Sequence, residues 1–202
     1  MRTILISGFE AFHTHSYNVT EMLVRWLDSQ HQSGFSIRTI ILPVVRWTSV
    51  QILSSAIKAH NPAAIIALGQ SRRPEISLER VAINRDHFKI ADNAGHQPLN
   101  SPIRADGPEQ YLSTLPLEAL LNALHKTRIP TQYSDTAGTY VCNHLFYGLM
   151  DHLRTSSVPA GFIHLPHSEA QTATAYLKSQ DFERQKTAMT TIIEAMAKQL
   201  SH

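Results

Sequence analysis

The chain has 202 residues with near-balanced charge, 18 Lys and Arg against 16 Asp and Glu, for a formal net charge of +2. With 43% hydrophobic residues and a single cysteine, this composition excludes a disordered chain, a collagen-like repeat and a disulfide scaffold. No dense run of Lys or Arg marks a nucleic-acid footprint, and no apolar stretch approaches the ~18 residues of a membrane span. The lone cysteine and the absence of a signal-peptide pattern point to a cytoplasmic protein.

Short apolar runs alternate with helical patterns. Thr3–Ser7 reads as a buried strand. A helix is expected over Asn18–Ser29, with Asn18 as N-cap, Glu21 completing a capping box, and Met22, Leu23, Trp26 and Leu27 on one face. Phe35–Leu42 is a second strand, ended by Pro43. Thr48–His60 is a second helix with Val50, Leu53 and Ile57 inward, stopped by Asn61-Pro62. Ala63–Leu68 is a third strand, ending at Gly69. This strand–helix alternation indicates an α/β fold with a largely parallel sheet.

Beyond it, Leu78–Asn84 is strand-like and Asp86–Pro108 reads as an irregular loop or small hairpin. Pro116–Thr127 is a helix, Pro130–Ser134 a short strand, Tyr140–Leu153 a helix and Gly161–Leu165 a strand. Thr187–Leu200 closes the chain as an amphipathic helix with Met189, Ile192, Ile193 and Met196 inward. No repeat or linker divides the chain. The expectation is one three-layer α/β/α domain over residues 1–202, with a twisted, largely parallel central sheet.

Cys142 stands in the first turn of an expected helix. A lone cysteine is most often a small apolar filler. A helix start, however, places the thiol at the positive end of the helix dipole, so a pKa below the free-thiol value is expected. A thiol nucleophile needs a base, and His164 closes an apolar strand, where parallel sheets carry their ligand crevices. Glu79, inside Leu78–Asn84, is a candidate acid to orient the imidazole; its plainer reading is the outward face of an edge strand.

These segments together resemble the pyroglutamyl peptidase I family of cysteine peptidases. The resemblance rests on Gly8-Phe9-Glu10-Ala11-Phe12, on Glu79-Arg80-Val81-Ala82-Ile83-Asn84, and on Asp92-Asn93-Ala94-Gly95-His96-Gln97-Pro98. Asp106-Gly107-Pro108 and Thr114-Leu115-Pro116 follow, then the cysteine block Asp135–His144 and the histidine block Ala160–Pro166. It implies that Cys142 is the nucleophile, His164 the general base and acid, and Glu79 the orienting carboxylate. It also implies hydrolysis of N-terminal pyroglutamyl residues from peptides through a thioester, with neither a metal nor an organic cofactor. Phe9, Phe12 and Val141 then enclose the lactam ring, Gln70 hydrogen-bonds it, and Asn18 braces the region. Multimeric family members make a homo-oligomer, dimer or tetramer, a further expectation.

The chain departs from the family pattern in places. His13-Thr14-His15-Ser16-Tyr17 replaces a glycine-containing loop, and Gly69–Pro74 is one residue short. Lys89 stands where the family has an arginine near the cysteine, retaining the charge but not the planar fork. His167-Ser168-Glu169 matches nothing expected there. Two other readings follow: a non-catalytic or specificity-shifted relative that binds a small cyclic ligand in the same pocket, and a phosphate-using enzyme hinted at only by Arg72-Arg73. Retention of cysteine, histidine and glutamate together favours the peptidase, because binding alone needs none of them.

Overall fold

The computed structural model describes residues 2–12, 16–30, 35–167 and 180–201. The rim segment His13-Thr14-His15 and the Ser168-Glu169 departure lie outside the described residues. The elements are β1 (Arg2–Phe9), α1 (Val19–Asp28), β2 (Phe35–Leu42), α2 (Thr48–His60), β3 (Ala64–Ser71), β4 (Ile76–Glu79), β5 (Val81–Ile83), β6 (Gln110–Leu112), α3 (Leu117–Lys126), β7 (Thr131–Ser134), α4 (Val141–His152), β8 (Ala160–Pro166) and α5 (Gln180–Leu200).

Six strands form the central sheet in the order β2-β1-β3-β8-β4-β7. All neighbours are parallel except β4 and β8, which run antiparallel. Strand side chains alternate between faces, and here both faces are apolar. Ile4, Ile6, Ile66, Leu68, Ile163 and Leu165 pack with α1, α3 and α5. Leu5, Ile65, Ala67 and Phe162 pack with α2 and α4. Two helical layers therefore cover one largely parallel sheet, as the continuous apolar runs require.

Several boundaries differ from the sequence expectation. Leu78–Asn84 is two strands, because the chain breaks at Arg80: Glu79 stays paired with Ser134 of β7, while Val81–Ile83 leaves the sheet to pair with Gln110–Leu112. Glu79 is thus fully buried inside the sheet, and the edge-strand reading fails. The third strand continues through Gly69 to Ser71, because β8 pairs with it along that whole length. The last helix begins at Gln180, seven residues before the expected Thr187, because a polar first turn with Asp181 and Glu183 carries a single buried anchor, Phe182.

Asn18 is the N-cap of α1, its Oδ1 accepting from the Thr20 N–H at 3.0 Å. The expected capping box does not close. Glu21 instead accepts from Arg25 at 2.8 Å, one turn on, and the Val19 N–H goes to Gln70 Oε1 at 3.2 Å.

Candidate active site

The site gathers at one end of β1, β3, β4 and β8 with the start of α4. Gly8 lets α1 lie directly on β1: a Cβ there would stand 2.7 Å from the Thr20 carbonyl oxygen. The Phe9 N–H donates to Thr20 Oγ1 at 2.8 Å, and Asn18 Nδ2 donates to the Glu10 carbonyl at 3.1 Å. These bonds fix the chain that carries Phe9 and Phe12. Gln70 sits in β3 and spends its Oε1 on Val19, which leaves its Nε2 without a protein partner among the described residues.

Phe9, Phe12, Asn18, Val44, Gln70, Tyr140, Val141 and Cys142 line a cavity of about 170 Å³. That is small beside the ~300–1,000 Å³ of a pocket for a drug-sized ligand. None of the lining side chains carries a full charge at neutral pH. A larger depression near Pro74, Ile129 and Arg184, about 340 Å³, contains none of Glu79, Cys142 and His164.

The thiol is delivered by a braced loop. Gly138 adopts φ +81°, the left-handed region that glycine enters without cost. Thr139 Oγ1 donates to the His87 carbonyl at 3.0 Å, and Tyr140 Oη to the Ala91 carbonyl at 2.9 Å. Asn143 accepts from the Ile83 N–H at 3.0 Å and donates to the Ile83 carbonyl at 2.9 Å, clamping β5 to the helix start. Tyr140, the N-cap, makes no side-chain cap bond, so no capping side chain occupies the first N–H groups of α4, beside Cys142.

Cys142 is half-buried, with its thiol in the cavity wall. Burial and the Glu79 charge push this thiol up to about 12, while its own N–H pulls the other way. The expected lowering by the helix start is therefore overturned: desolvation and a nearby carboxylate outweigh the helix end. Both effects disfavour the thiolate, so a thiol placed here calls for a base to take its proton.

The candidate base, His164, is held by Glu79 of β4. In the antiparallel β4–β8 pair, Ser77 faces His164 and Glu79 faces Phe162, so Glu79 is the diagonal neighbour of His164 on one face. His164 Nδ1 donates to Glu79 Oε1 at 2.7 Å, so Nε2 is the ring nitrogen that Glu79 does not engage. The ring rests on Phe162 at 4.9 Å between centroids. Across β3, Gly69 leaves room for it: a Cβ at that position would be 2.7 Å from the Phe162 ring and 3.0 Å from His164 Cδ2.

Three features were not legible in the sequence as site elements. Arg73, noticed only as a weak phosphate hint, donates to Glu79 Oε1 at 2.8 Å. Val44 and Tyr140 line the cavity, though neither lies in a pattern that singles it out. The third is a buried support behind Cys142. His144 Nδ1 donates to Asp86 Oδ2 at 2.9 Å, Arg46 pairs with the same carboxylate at 3.0 Å, and His144 Nε2 accepts the Trp47 N–H at 3.1 Å. This bond pins a γ-turn at Trp47, φ 57° and ψ −51°, closed by Thr48 N–H to the Arg46 carbonyl. Such backbone costs on the order of 1–3 kcal/mol and persists only where its surroundings over-determine it.

Lys89 is exposed, and the groups acting on the Cys142 thiol are its burial, Glu79 and its own amide. Among the described residues, no group of three His, Cys, Asp or Glu could hold a metal ion. No helix among them is long and apolar enough to cross a membrane.

A thiol in the wall of an uncharged cavity and a carboxylate-held imidazole on β8 are the side chains that a cysteine-type hydrolase on an α/β/α fold would use. Comparison with known proteins makes this specific. The pyroglutamyl peptidase family model matches residues 2–199. A pyrrolidone-carboxylate peptidase from Vibrio campbellii is 46% identical over 82% of this chain and 79% of its own length, and one from Vibrio vulnificus is 43% identical over 91% and 87%. Among solved structures, pyroglutamyl peptidase I from Bacillus amyloliquefaciens aligns with a TM-score of 0.88 at 34% identity, covering 97% of this chain and 95% of that one. Pyrrolidone carboxyl peptidase from Pyrococcus furiosus aligns at 0.90 and 30%, covering 98% and 99%. The chain belongs to the pyroglutamyl peptidase family.

Proposed function

We propose that this pyroglutamyl-peptidase-family hydrolase uses Cys142 as nucleophile, His164 as general base and acid, and Glu79 as the carboxylate that orients the imidazole. The observation that carries the assignment is the 2.7 Å bond from His164 Nδ1 to Glu79. It leaves Nε2 as the only ring nitrogen able to take a proton.

His164 Nε2 takes the Cys142 Sγ proton as sulfur bonds to the pyroglutamyl carbonyl carbon. The carbonyl oxygen becomes an oxyanion, and the uncapped first N–H groups of α4 are its donors. Collapse breaks the C–N bond, and Nε2 returns the proton to the departing amine. Water then attacks the thioester carbon and gives a proton to Nε2. Rupture of the C–S bond releases pyroglutamate, and His164 hands its proton back to sulfur. Burial and the Glu79 charge disfavour a preformed thiolate, which favours attack together with proton transfer to Nε2.

The cavity explains the acyl preference. A pyroglutamyl ring is neutral, with no free α-amine, and the lining offers no carboxylate to an ammonium. Phe9, Phe12, Val44 and Val141 supply apolar walls, and Gln70 Nε2 is the donor for the lactam carbonyl. Lys89 is exposed and sits outside this set. The substrates are peptides with an N-terminal pyroglutamyl residue. A thiol that must stay reduced to act suits the cytoplasm.

The test is release of a fluorogenic amine from a pyroglutamyl amide, with prolyl and alanyl amides as controls. Release from the pyroglutamyl compound alone, abolished in Cys142→Ser and cut at least about 100-fold in His164→Ala, is the expected result. Near-normal activity in either variant removes that residue from the mechanism.

A further inference from the structure

We propose that Arg73 is a positioning residue of the catalytic relay: it holds the Glu79 carboxylate to His164 and ties it to the loop that delivers Cys142. The inference rests on the catalytic assignment above. Arg73 lies in the turn between β3 and β4, directly before Pro74. Its Nη1 donates to Glu79 Oε1 at 2.8 Å, the same oxygen that accepts His164 Nδ1 at 2.7 Å. Nη1 also donates to Ser134 Oγ at 2.9 Å, and Nη2 to the Thr136 carbonyl at 2.7 Å. Thr136 opens the loop that ends at Cys142. One planar guanidinium thus spans the acid of the relay and the approach of its nucleophile, a geometry that suits arginine and not lysine.

Glu79 needs such a partner. It is fully buried, and its Oε2 makes no hydrogen bond. A buried carboxylate without a counter-charge takes up a proton or destabilises the fold. Two donors converging on Oε1 also decide which oxygen faces the imidazole. Free of Arg73, the carboxylate could rotate and turn Oε2 to the ring.

The same contact puts a positive charge 2.8 Å from the Glu79 oxygen that holds the imidazole. The charged group facing the imidazole is Glu79 from β4, with Arg73 behind it; the Cys142 thiol of α4 feels the same Glu79 charge, and Arg80, the next residue along, is engaged by Asp135 on the exposed side. A cation on the far side of Glu79 disfavours imidazolium. Removing it therefore favours a positive imidazole, and the acid limb of activity is expected to move toward higher pH.

The experiment compares wild type, Arg73→Gln and Arg73→Lys on a pyroglutamyl amide between about pH 5 and 10, with folding checked by circular dichroism. Arg73→Gln is expected to lose about 10- to 100-fold in kcat, to keep KM within about threefold, and to shift the acid limb upward by about one pH unit. Arg73→Lys keeps the limb in place and recovers part of kcat. A higher KM alone, or an unmoved limb in folded Arg73→Gln, overturns the proposal. Where Arg73→Gln does not fold, the decision passes to Arg73→Lys. A kcat at least about threefold below wild type with an unmoved limb then supports the inference, and wild-type kcat overturns it. Cys142→Ser and His164→Ala run alongside. If they retain activity, the catalytic assignment fails; if they lose it while Arg73 variants match wild type, only the role of Arg73 fails.

Discussion

Replacing Glu79 with Gln isolates the charge of the relay from its geometry. Glu79 Oε1 receives both His164 Nδ1, at 2.7 Å, and Arg73 Nη1, at 2.8 Å. Both neighbours are donors, so the amide oxygen of a glutamine takes that place and the amide nitrogen takes the unpartnered place of Oε2. The imidazole keeps its tautomer, with Nε2 still free to accept. What disappears is the negative charge that stabilises the imidazolium formed when the thiol gives up its proton. Two unit charges about 4 Å apart at an effective dielectric of about 20 interact by about 4 kcal/mol. A hydrogen bond to a charged group contributes about 1.5–3 kcal/mol. At about 1.4 kcal/mol per decade, these bracket a loss in kcat of about 10- to 1,000-fold. KM changes little, because Glu79 is not among the cavity-lining residues. The assay is steady-state release of a fluorogenic amine from a pyroglutamyl amide across pH, with folding verified. A loss below about fivefold shows that the carboxylate charge does not matter. A loss of about 10⁴-fold, the scale of a wrong tautomer, shows that Arg73 does not hold the amide as reasoned.

Further outcomes test the surroundings. In His164→Ala, iodoacetamide alkylation of Cys142 should show its limb well above neutral pH; adding Glu79→Gln moves that limb down, since removing a negative charge favours the thiolate, and an upward move refutes the assigned cause. Gly69→Ala drives a Cβ into Phe162 and His164, so thermal melting should show a loss of about 1–3 kcal/mol and activity should fall with it; wild-type melting and turnover would mean the strand–ring contact is slack. Gln70→Glu removes the free amide donor and puts a carboxylate in the cavity wall, so kcat/KM for pyroglutamyl amide should drop about 10- to 200-fold; an unchanged value in competition assays excludes Gln70 from lactam recognition.

Much of the architecture is local and was readable in sequence. Apolar residues at helical spacing placed α2 at Thr48–His60, and an isoleucine-rich run placed β2 at Phe35–Leu42, both at their observed bounds. Asn18 as the α1 cap is likewise local, because its acceptor serves an N–H two residues on. The cysteine at a helix start and the histidine ending a strand were legible from position and pattern.

Tertiary structure decided the rest, because it depends on which distant segments become neighbours. Alternation alone cannot show that β4 enters the sheet antiparallel to β8, yet that register sets Glu79 beside His164. Nor can it break a strand at Arg80, where the pairing partner changes from β7 to β6. Glu21 fits a capping box by spacing, but its carboxylate pairs with Arg25 one turn on, and the Val19 N–H goes to Gln70, 51 residues away. The sign of the Cys142 shift shows the same division. The helix start that lowers a thiol pKa is a local feature, whereas the burial and the Glu79 charge that raise it exist only once the chain has folded around the site.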